Sequence, residues 1–289
     1  MKFVLIGGAG YIGSQLTVAL NTKGHEVTVI DNFTYNQSPF MPPKVKVIND
    51  TVENIRTHQA DIASADYVFF MASPRLNEIN DLPQPLPYID ALNDTVDCLG
   101  EKTNLIFFSS CSVYGYNAQT VDETSPTKIT SLYSKLKIDS ENTLIYKGDN
   151  RLKIVRLSTL YGLSSVSRND LLINNFIRDI TFSKFLEVYD PLAWRPNIFL
   201  EDLINILIDL SEHKRFRPIL NIGYNDLNTT KQDLILTLVS KNKFDFSVKY
   251  YAPQDSRSYK VKFDLLESLL TFNTHTSYED GINKIREQL

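Results

Sequence analysis

Gly7-Gly8-Ala9-Gly10-Tyr11-Ile12-Gly13 decides how this chain folds. Ahead of it, residues 3–6 form a compact run of strand formers, and behind it residues 12–20 carry apolar side chains at helical spacing. A strand, a glycine turn and a helix in that order give each glycine a task. Gly7, Gly10 and Gly13 allow the tight turn, close backbone approach to a pyrophosphate and close packing of helix on strand. The helix N-terminus then offers unpaired N–H groups and the positive end of its dipole to the anion. A glycine triplet also occurs in turns that bind nothing, so the next acidic residue matters. Asp31 ends a second apolar run, residues 26–30, at the offset of about 20 residues expected of a carboxylate on the ribose hydroxyls. A carboxylate there repels a 2′-phosphate, which favours NAD over NADP. Tyr11, Ile12 and Asn32, beside these positions, are assigned to the same cofactor site.

Working outward, strands are expected at residues 45–48, 67–71, 105–108 and 153–157, with helices at 88–99 and 131–146. Strands alternating with helices imply right-handed crossovers and a parallel sheet covered on both faces. The fold class is therefore α/β, a Rossmann-type doubly wound parallel sheet with a smaller C-terminal α/β substrate lobe. After Gly162 the rhythm changes. Helices are expected at 170–182, 200–210, 231–240, 265–270 and 278–289, and strands at 185–188, 219–223 and 247–251. Trp194-Arg195-Pro196 reads as a turn, and the proline-dense stretch 82–87 as a surface loop. The simplest partition is residues 1–162 for the NAD-binding domain and 163–289 mainly for the substrate lobe, with some later segments returning to the first domain.

Composition narrows the function classes. With 289 residues, 43% hydrophobic and 22% charged, the chain can bury a substantial core. A net charge of -4 supplies no basic field, which argues against nucleic acid as a partner. No apolar run reaches the length of about 18 residues needed to span a membrane. The N-terminal apolar run breaks at Gly7-Gly8, short of the roughly 7–15 residues of a secretion signal core. Cys98 and Cys111 have no metal or redox spacing and the four histidines are scattered, so no metal site is expected and a reducing cytoplasm is the default location.

Tyr133 and Lys137 stand four apart and so share one helix face. A tyrosine can move a sugar hydroxyl's proton near neutral pH only if its pKa falls from about 10. A lysine ammonium and a positively charged nicotinamide ring both favour the phenolate. The same spacing suits any solvated helix face, and it gains meaning from the segment ahead. The fifth strand runs straight into Ser109-Ser110-Cys111-Ser112-Val113-Tyr114-Gly115, where side chains face the ligand crevice of a doubly wound sheet.

With these motifs the chain resembles the NAD-dependent epimerase/dehydratase family of extended short-chain dehydrogenases. Gly7–Gly13, Ser109–Gly115 and Tyr133–Lys137 carry the resemblance, with Arg156-Leu157-Ser158-Thr159-Leu160-Tyr161-Gly162. It continues through Arg195, Phe199-Leu200-Glu201-Asp202, Asn221-Ile222-Gly223 and Asp255-Ser256-Arg257-Ser258-Tyr259, in family order over nearly the whole chain. The resemblance implies that Tyr133 is the catalytic acid/base, that Lys137 holds the phenolate and the nicotinamide ribose, and that Ser110 is the catalytic hydroxyl. It implies an adenine contact at Asp50, with Thr51 beside it, and places Ala72 on the cofactor side. Arg195 and Arg257 match arginines that grip the nucleotide diphosphate, the bidentate chemistry suited to that anion. Arg168, with the stretch to Asn174, looks like a pattern in bacterial nucleotide-sugar and GDP-heptose enzymes in which that asparagine also faces the diphosphate.

Departures from the family pattern matter as well. Dehydratases usually carry Asp-Glu where this chain has Cys111 and Ser112, so dehydration is disfavoured. Leu163 stands where a proline is usual. The leading expectation is an epimerase on a nucleotide sugar, acting at a hydroxyl, C4 first, and regenerating NAD internally. A 4-dehydrogenase or ketoreductase would use the same trio, and a catalytically silent nucleotide-binding regulator is a third possibility. A homodimer built on the helices at 88–99 and 131–146 is expected from the family, and surface-polysaccharide biosynthesis by analogy.

Overall fold

Phe3, Val4, Leu5 and Ile6 are wholly buried, as a parallel strand covered on both faces requires. They form β1 (Lys2–Ile6) in a computed structural model that describes residues 1–35, 41–75, 78–81, 87–252 and 257–288. The chain continues through α1 (Tyr11–Thr22), β2 (Glu26–Asp31), β3 (Lys46–Asn49), α2 (Gln59–Ala63) and β4 (Tyr67–Phe70). Next come α3 (Tyr88–Asp97), β5 (Asn104–Ser110), α4 (Leu132–Lys147), β6 (Leu152–Leu157) and β7 (Thr159–Tyr161). The later part adds α5 (Leu172–Ser183), β8 (Phe185–Tyr189), β9 (Trp194–Phe199), α6 (Leu200–Glu212), β10 (Ile219–Ile222) and β11 (Asn228–Thr230). Helix α7 (Lys231–Ser240), β12 (Ser247–Tyr251), α8 (Asp264–Glu267) and α9 (Tyr278–Arg286) complete it.

Seven strands pair in the order β10-β6-β5-β4-β1-β2-β3, all in parallel. The chain builds outward from β1 to β3, then returns to the other side of β1 at β4. The switch point lies between β1 and β4, and a crevice opens there at the carboxyl ends of the strands. Alternate side chains of each strand point to opposite faces. Phe3 and Leu5 join Phe69 and Ile106 under Leu16 and Leu20 of α1 and Leu203 and Leu207 of α6. Val4 and Ile6 join Phe70 and Phe107 under Leu92 of α3 and Leu144 of α4. Each such side chain contributes about 1.5–3 kcal/mol of burial free energy.

The outer lobe has its own core. Ile173, Phe176 and Ile177 of α5 pack with Leu186 of β8, Leu234 and Leu238 of α7 and Ile282 of α9. Strand β9 lies between β7, to which it is parallel, and β11, to which it is antiparallel. The later segment β10 completes the main sheet beside β6.

Some expected boundaries are corrected. Trp194-Arg195-Pro196 is not a turn but the start of β9. Pro196 faces Asn228 on one side, and the ladder to β7 begins only at Asn197, so the missing N–H of proline breaks nothing. The fifth strand extends to Ser110, so the hydroxyl expected to be catalytic belongs to the strand's last residue. Helix α5 starts at Leu172 because Leu171 is extended and Asp170 is turned toward Arg168. The expected helix at 265–270 is the single turn α8. Residues 82–86 of the proline-dense stretch and Leu289 lie outside the described residues. Among those described, no helix is long and apolar enough to cross a membrane.

Candidate active site

At the end of β1 the backbone of Gly7 takes φ +84, and a Cβ there would stand 2.6 Å from the amide nitrogen of Ala72. A Cβ on Gly13 would stand 2.6 Å from the Gly7 carbonyl. Both positions therefore exclude side chains, and the loop is drawn tightly over β4. Helix α1 begins at Tyr11 with Gly10 as N-cap, and no side chain caps it. Its first N–H groups are left to a ligand. Asp31, the last residue of β2, accepts the Ala9 N–H at 2.9 Å and the Phe33 N–H at 2.8 Å. Burial raises its pKa, and those backbone donors act against the rise. Glycine cradle, open helix end and fixed carboxylate together fit the pyrophosphate and ribose of NAD.

These residues line one cavity of about 700 Å³. Gly7, Gly10, Tyr11, Ile12, Gly13, Asp31, Asn32, Asp50, Thr51 and Ala72 lie along its wall, as do Ser110, Tyr133, Lys137, Arg168, Arg195 and Arg257. Asp50 is engaged within its own loop. It accepts from the Thr51 N–H and the Asn54 amide, and its other oxygen lies 2.8 Å from His58 Nε2.

Helix α4 carries the expected Tyr133–Lys137 pair. A capping box between Ser131 and Ser134 fixes its first turn, and Tyr133 lies within that turn. One turn on, Lys137 is only 4% exposed, and its Nζ donates to the Phe108 carbonyl at 2.8 Å. The ammonium also lies 5.0 Å from the Phe107 ring and 5.6 Å from the Tyr133 ring. Burial brings its pKa down to about 7, opposed by the Glu141 carboxylate one turn further along. Burial raises the Tyr133 phenol, while Arg168, the Ser110 hydroxyl and Arg257 pull it back. In the protein alone the charges that oppose this rise are those of Arg168 and Arg257. Ser110 caps the short turn Cys111–Tyr114, its Oγ accepting the Ser112 N–H at 3.1 Å.

Beneath this surface lies a buried polar network. Ser109 donates to Glu141, Arg156 pairs with Glu141 at 2.7 Å, and Arg156 also donates to the Tyr114 hydroxyl at 2.9 Å. Tyr114 in turn donates to Asn221 at 2.7 Å. Cys111 is buried, its thiol bonded to the Arg156 carbonyl at 3.2 Å and its pKa pushed up by burial. The Ser112 hydroxyl is buried without a hydrogen-bond partner at the cavity wall. Neither offers the acid or base that a dehydration needs. Among the described residues, no group of three or more His, Cys, Asp or Glu could hold a metal ion.

The outer lobe contributes cations. Arg168 pairs bidentately with Asp170 at 2.7 and 2.8 Å and lies 5.9 Å over the Tyr11 ring. Arg195 donates to the Trp194 carbonyl at 2.9 Å and to the Arg257 carbonyl. Asn174 does not reach the cavity, which corrects the expectation. Its Oδ1 accepts the Gly162 N–H at 3.0 Å, and its Nδ2 donates to the carbonyls of Gly162 and Arg168, both at 3.2 Å. Asn175, one residue on, lines the cavity instead. Sequence reasoning also missed Tyr35, Arg75 and Lys231, which share that wall. No local motif marks Tyr35 or Arg75, whereas Lys231 opens a helix whose N-terminus was legible.

Residues 3–223 match the NAD dependent epimerase/dehydratase family. The chain is similar to a UDP-glucose 4-epimerase of Corynebacterium glutamicum, 32% identical over 151 residues, or 48% of this chain and 45% of that protein. It is also similar to UDP-glucuronic acid decarboxylase 1 of Danio rerio, at 24% identity over 98% of this chain and 71% of that one. The matched stretch thus spans less than half of the first relative's own length. The solved UDP-glucuronic acid 4-epimerase of Bacillus cereus, in complex with UDP-glucuronic acid and NAD, shares the fold with a TM-score of 0.84. Its sequence identity is 21%, with 100% of both chains covered.

Proposed function

The chain belongs to the NAD dependent epimerase/dehydratase family, and from that premise we propose that it is a nucleotide-sugar epimerase acting at a sugar hydroxyl, C4 first. One observation carries the choice of epimerisation over dehydration. Among the described residues of the cavity wall, the carboxylates are Asp31, Asp50, Glu53 and Asp170. Asp31 serves the ribose, Asp50 and Glu53 follow β3 on the adenine side, and Asp170 is neutralised by Arg168. No carboxylate among them is left to expel water from the sugar.

In this reading Tyr133 takes the proton of the sugar hydroxyl and later returns it. Ser110 donates a hydrogen bond to the same oxygen and holds it against the phenol. Lys137 braces the phenol's helix face, and Arg168 and Arg257 favour the phenolate. NAD, which the glycine loop and Asp31 would hold, would supply the hydride acceptor and donor. Arg195 and Arg257 hold the diphosphate through charge-assisted hydrogen bonds, which lets an acidic protein bind a polyanion. The named relatives act on uridine diphosphate sugars, so those are the first substrates to try.

The test follows reduced nicotinamide fluorescence after a UDP-sugar is mixed with protein carrying one equivalent of NAD. An epimerase shows a small transient while sugar turns over. Stoichiometric accumulation of NADH, with turnover only after an oxidant is added, would assign a 4-dehydrogenase or ketoreductase instead. Saturable binding with no turnover on any nucleotide sugar would assign a silent regulator. The same reading includes a homodimer through α3 and α4; α4 exposes Leu132, Ile145 and Tyr146. Light scattering at micromolar concentration giving a monomer mass would contradict it.

A further inference from the structure

Two loops outside the proposed catalytic trio meet at the wall of the cavity. In the sheet, β2 and β4 are the two neighbours of β1, and all three run parallel. The segments leaving β2 and β4 therefore emerge at the same edge, on opposite sides of the glycine loop. Any contact between them must bridge the carboxyl end of β1.

Tyr35, just past β2, and Arg75, just past β4, make that contact. The Arg75 guanidinium lies 4.1 Å over the Tyr35 ring. The Tyr35 hydroxyl donates to the Glu78 carboxylate at 2.6 Å, and Arg75 closes the triangle on Glu78 at 3.7 Å. Tyr35 and Arg75 line the cavity together with Asp31 and Ala72. Phe33 takes φ +56, a left-handed conformation that a bulky residue keeps only where its surroundings fix it. The Phe33 N–H is tied to the Asp31 carboxylate at 2.8 Å, so the residue that marks the ribose site also sets the path toward Tyr35.

We propose that Tyr35, Arg75 and Glu78 form a clasp that closes over the bound dinucleotide and sets the rate of its release. This rests on reading the cavity as an NAD site. Cofactor lying along the glycine loop is roofed by the clasp, and it leaves when the Tyr35–Glu78 bond and the Arg75–Tyr35 stack open. An enzyme that recycles its own cofactor benefits from slow release.

The test is stopped-flow dissociation of NADH from the full-length protein, displaced by excess NAD, for wild type, Tyr35→Phe, Arg75→Ala and Glu78→Gln. Each variant is expected to release NADH about tenfold faster, the scale of one charge-assisted hydrogen bond or one partly exposed cation–π contact. The association rate changes less. Combining Tyr35→Phe with Glu78→Gln adds less than the two alone summed, because both act on the Tyr35–Glu78 bond, while Glu78→Gln also neutralises the ion pair with Arg75. Tyr35→Phe keeps the ring and so the fold, and an unchanged urea midpoint confirms it. Release at the wild-type rate in all three variants overturns the clasp and leaves the NAD reading intact. A wild-type chain that binds no NADH overturns both.

Discussion

The Arg156 guanidinium and the Glu141 carboxylate meet at 2.7 Å where their side chains are only 4% and 2% exposed. The pair joins β6 to α4, and Ser109 and Tyr114 complete its hydrogen bonding from β5 and the turn beyond it. The pair therefore locks the helix that carries Tyr133 and Lys137 to β6, and the Ser109–Glu141 bond ties the same helix to the strand that carries Ser110.

Removing one partner leaves a buried charge unpaired, at a cost of about 3–5 kcal/mol. Arg156→Met is expected to lower stability by that amount in urea unfolding. A loss of less than about 1 kcal/mol, the range of an exposed pair, would show that the pair is not structural.

Lys137 makes stability depend on pH. Its pKa is about 7 in the folded protein against the ordinary lysine value of 10.5, because burial opposes the charge. Between those values the unfolded chain binds the extra proton, so stability from this group rises with pH through that window. It is fully present above 10.5 and lost as pH falls through about 7. Urea midpoints of the cofactor-free protein, relative to Lys137→Met, are expected to climb across the window. Parallel pH profiles for the two proteins would contradict this.

Tyr133→Phe removes the hydroxyl proposed to carry the proton and keeps the ring. Turnover of any accepted nucleotide sugar should fall by about 10²–10⁴-fold, the usual worth of a general acid/base. Bound dinucleotide, measured by its absorbance after gel filtration, should remain. Near-normal turnover would remove Tyr133 from the mechanism.

Asn174 and Asn175 separate by their readouts. Asn174→Ala breaks the bonds that hold Gly162 and Arg168 and should cost about 1–3 kcal/mol of stability. Asn175→Ala should leave the unfolding midpoint nearly unchanged and raise KM for the nucleotide sugar. The opposite assignment of effects would restore the expectation that Asn174 faces the diphosphate.

The features legible in sequence are local ones. The glycine spacing, Asp31 and the Tyr133–Lys137 pair each follow from backbone period within a single strand–turn–helix or helix. The choice between Asn174 and Asn175 is not legible, because one residue on a helix is about 100° of rotation and apolar spacing near the first turn leaves two faces open. Trp194-Arg195-Pro196 reads wrongly as a turn because a proline is tolerated in a strand where one side is unpaired, and that is a property of the neighbours. Tyr35 and Arg75 meet across β1 from separate loops, a relationship that only the strand order reveals.

The central claim is internally recycled oxidation and re-reduction of a nucleotide sugar. Its most direct test is mass spectrometry of products after incubating the protein, without added cofactor, with UDP-, GDP-, CDP- and dTDP-sugars. A new chromatographic peak of unchanged mass is the predicted result. A product lacking two hydrogens, with NADH accumulating on the protein, would contradict the account and make the enzyme a nucleotide-sugar dehydrogenase.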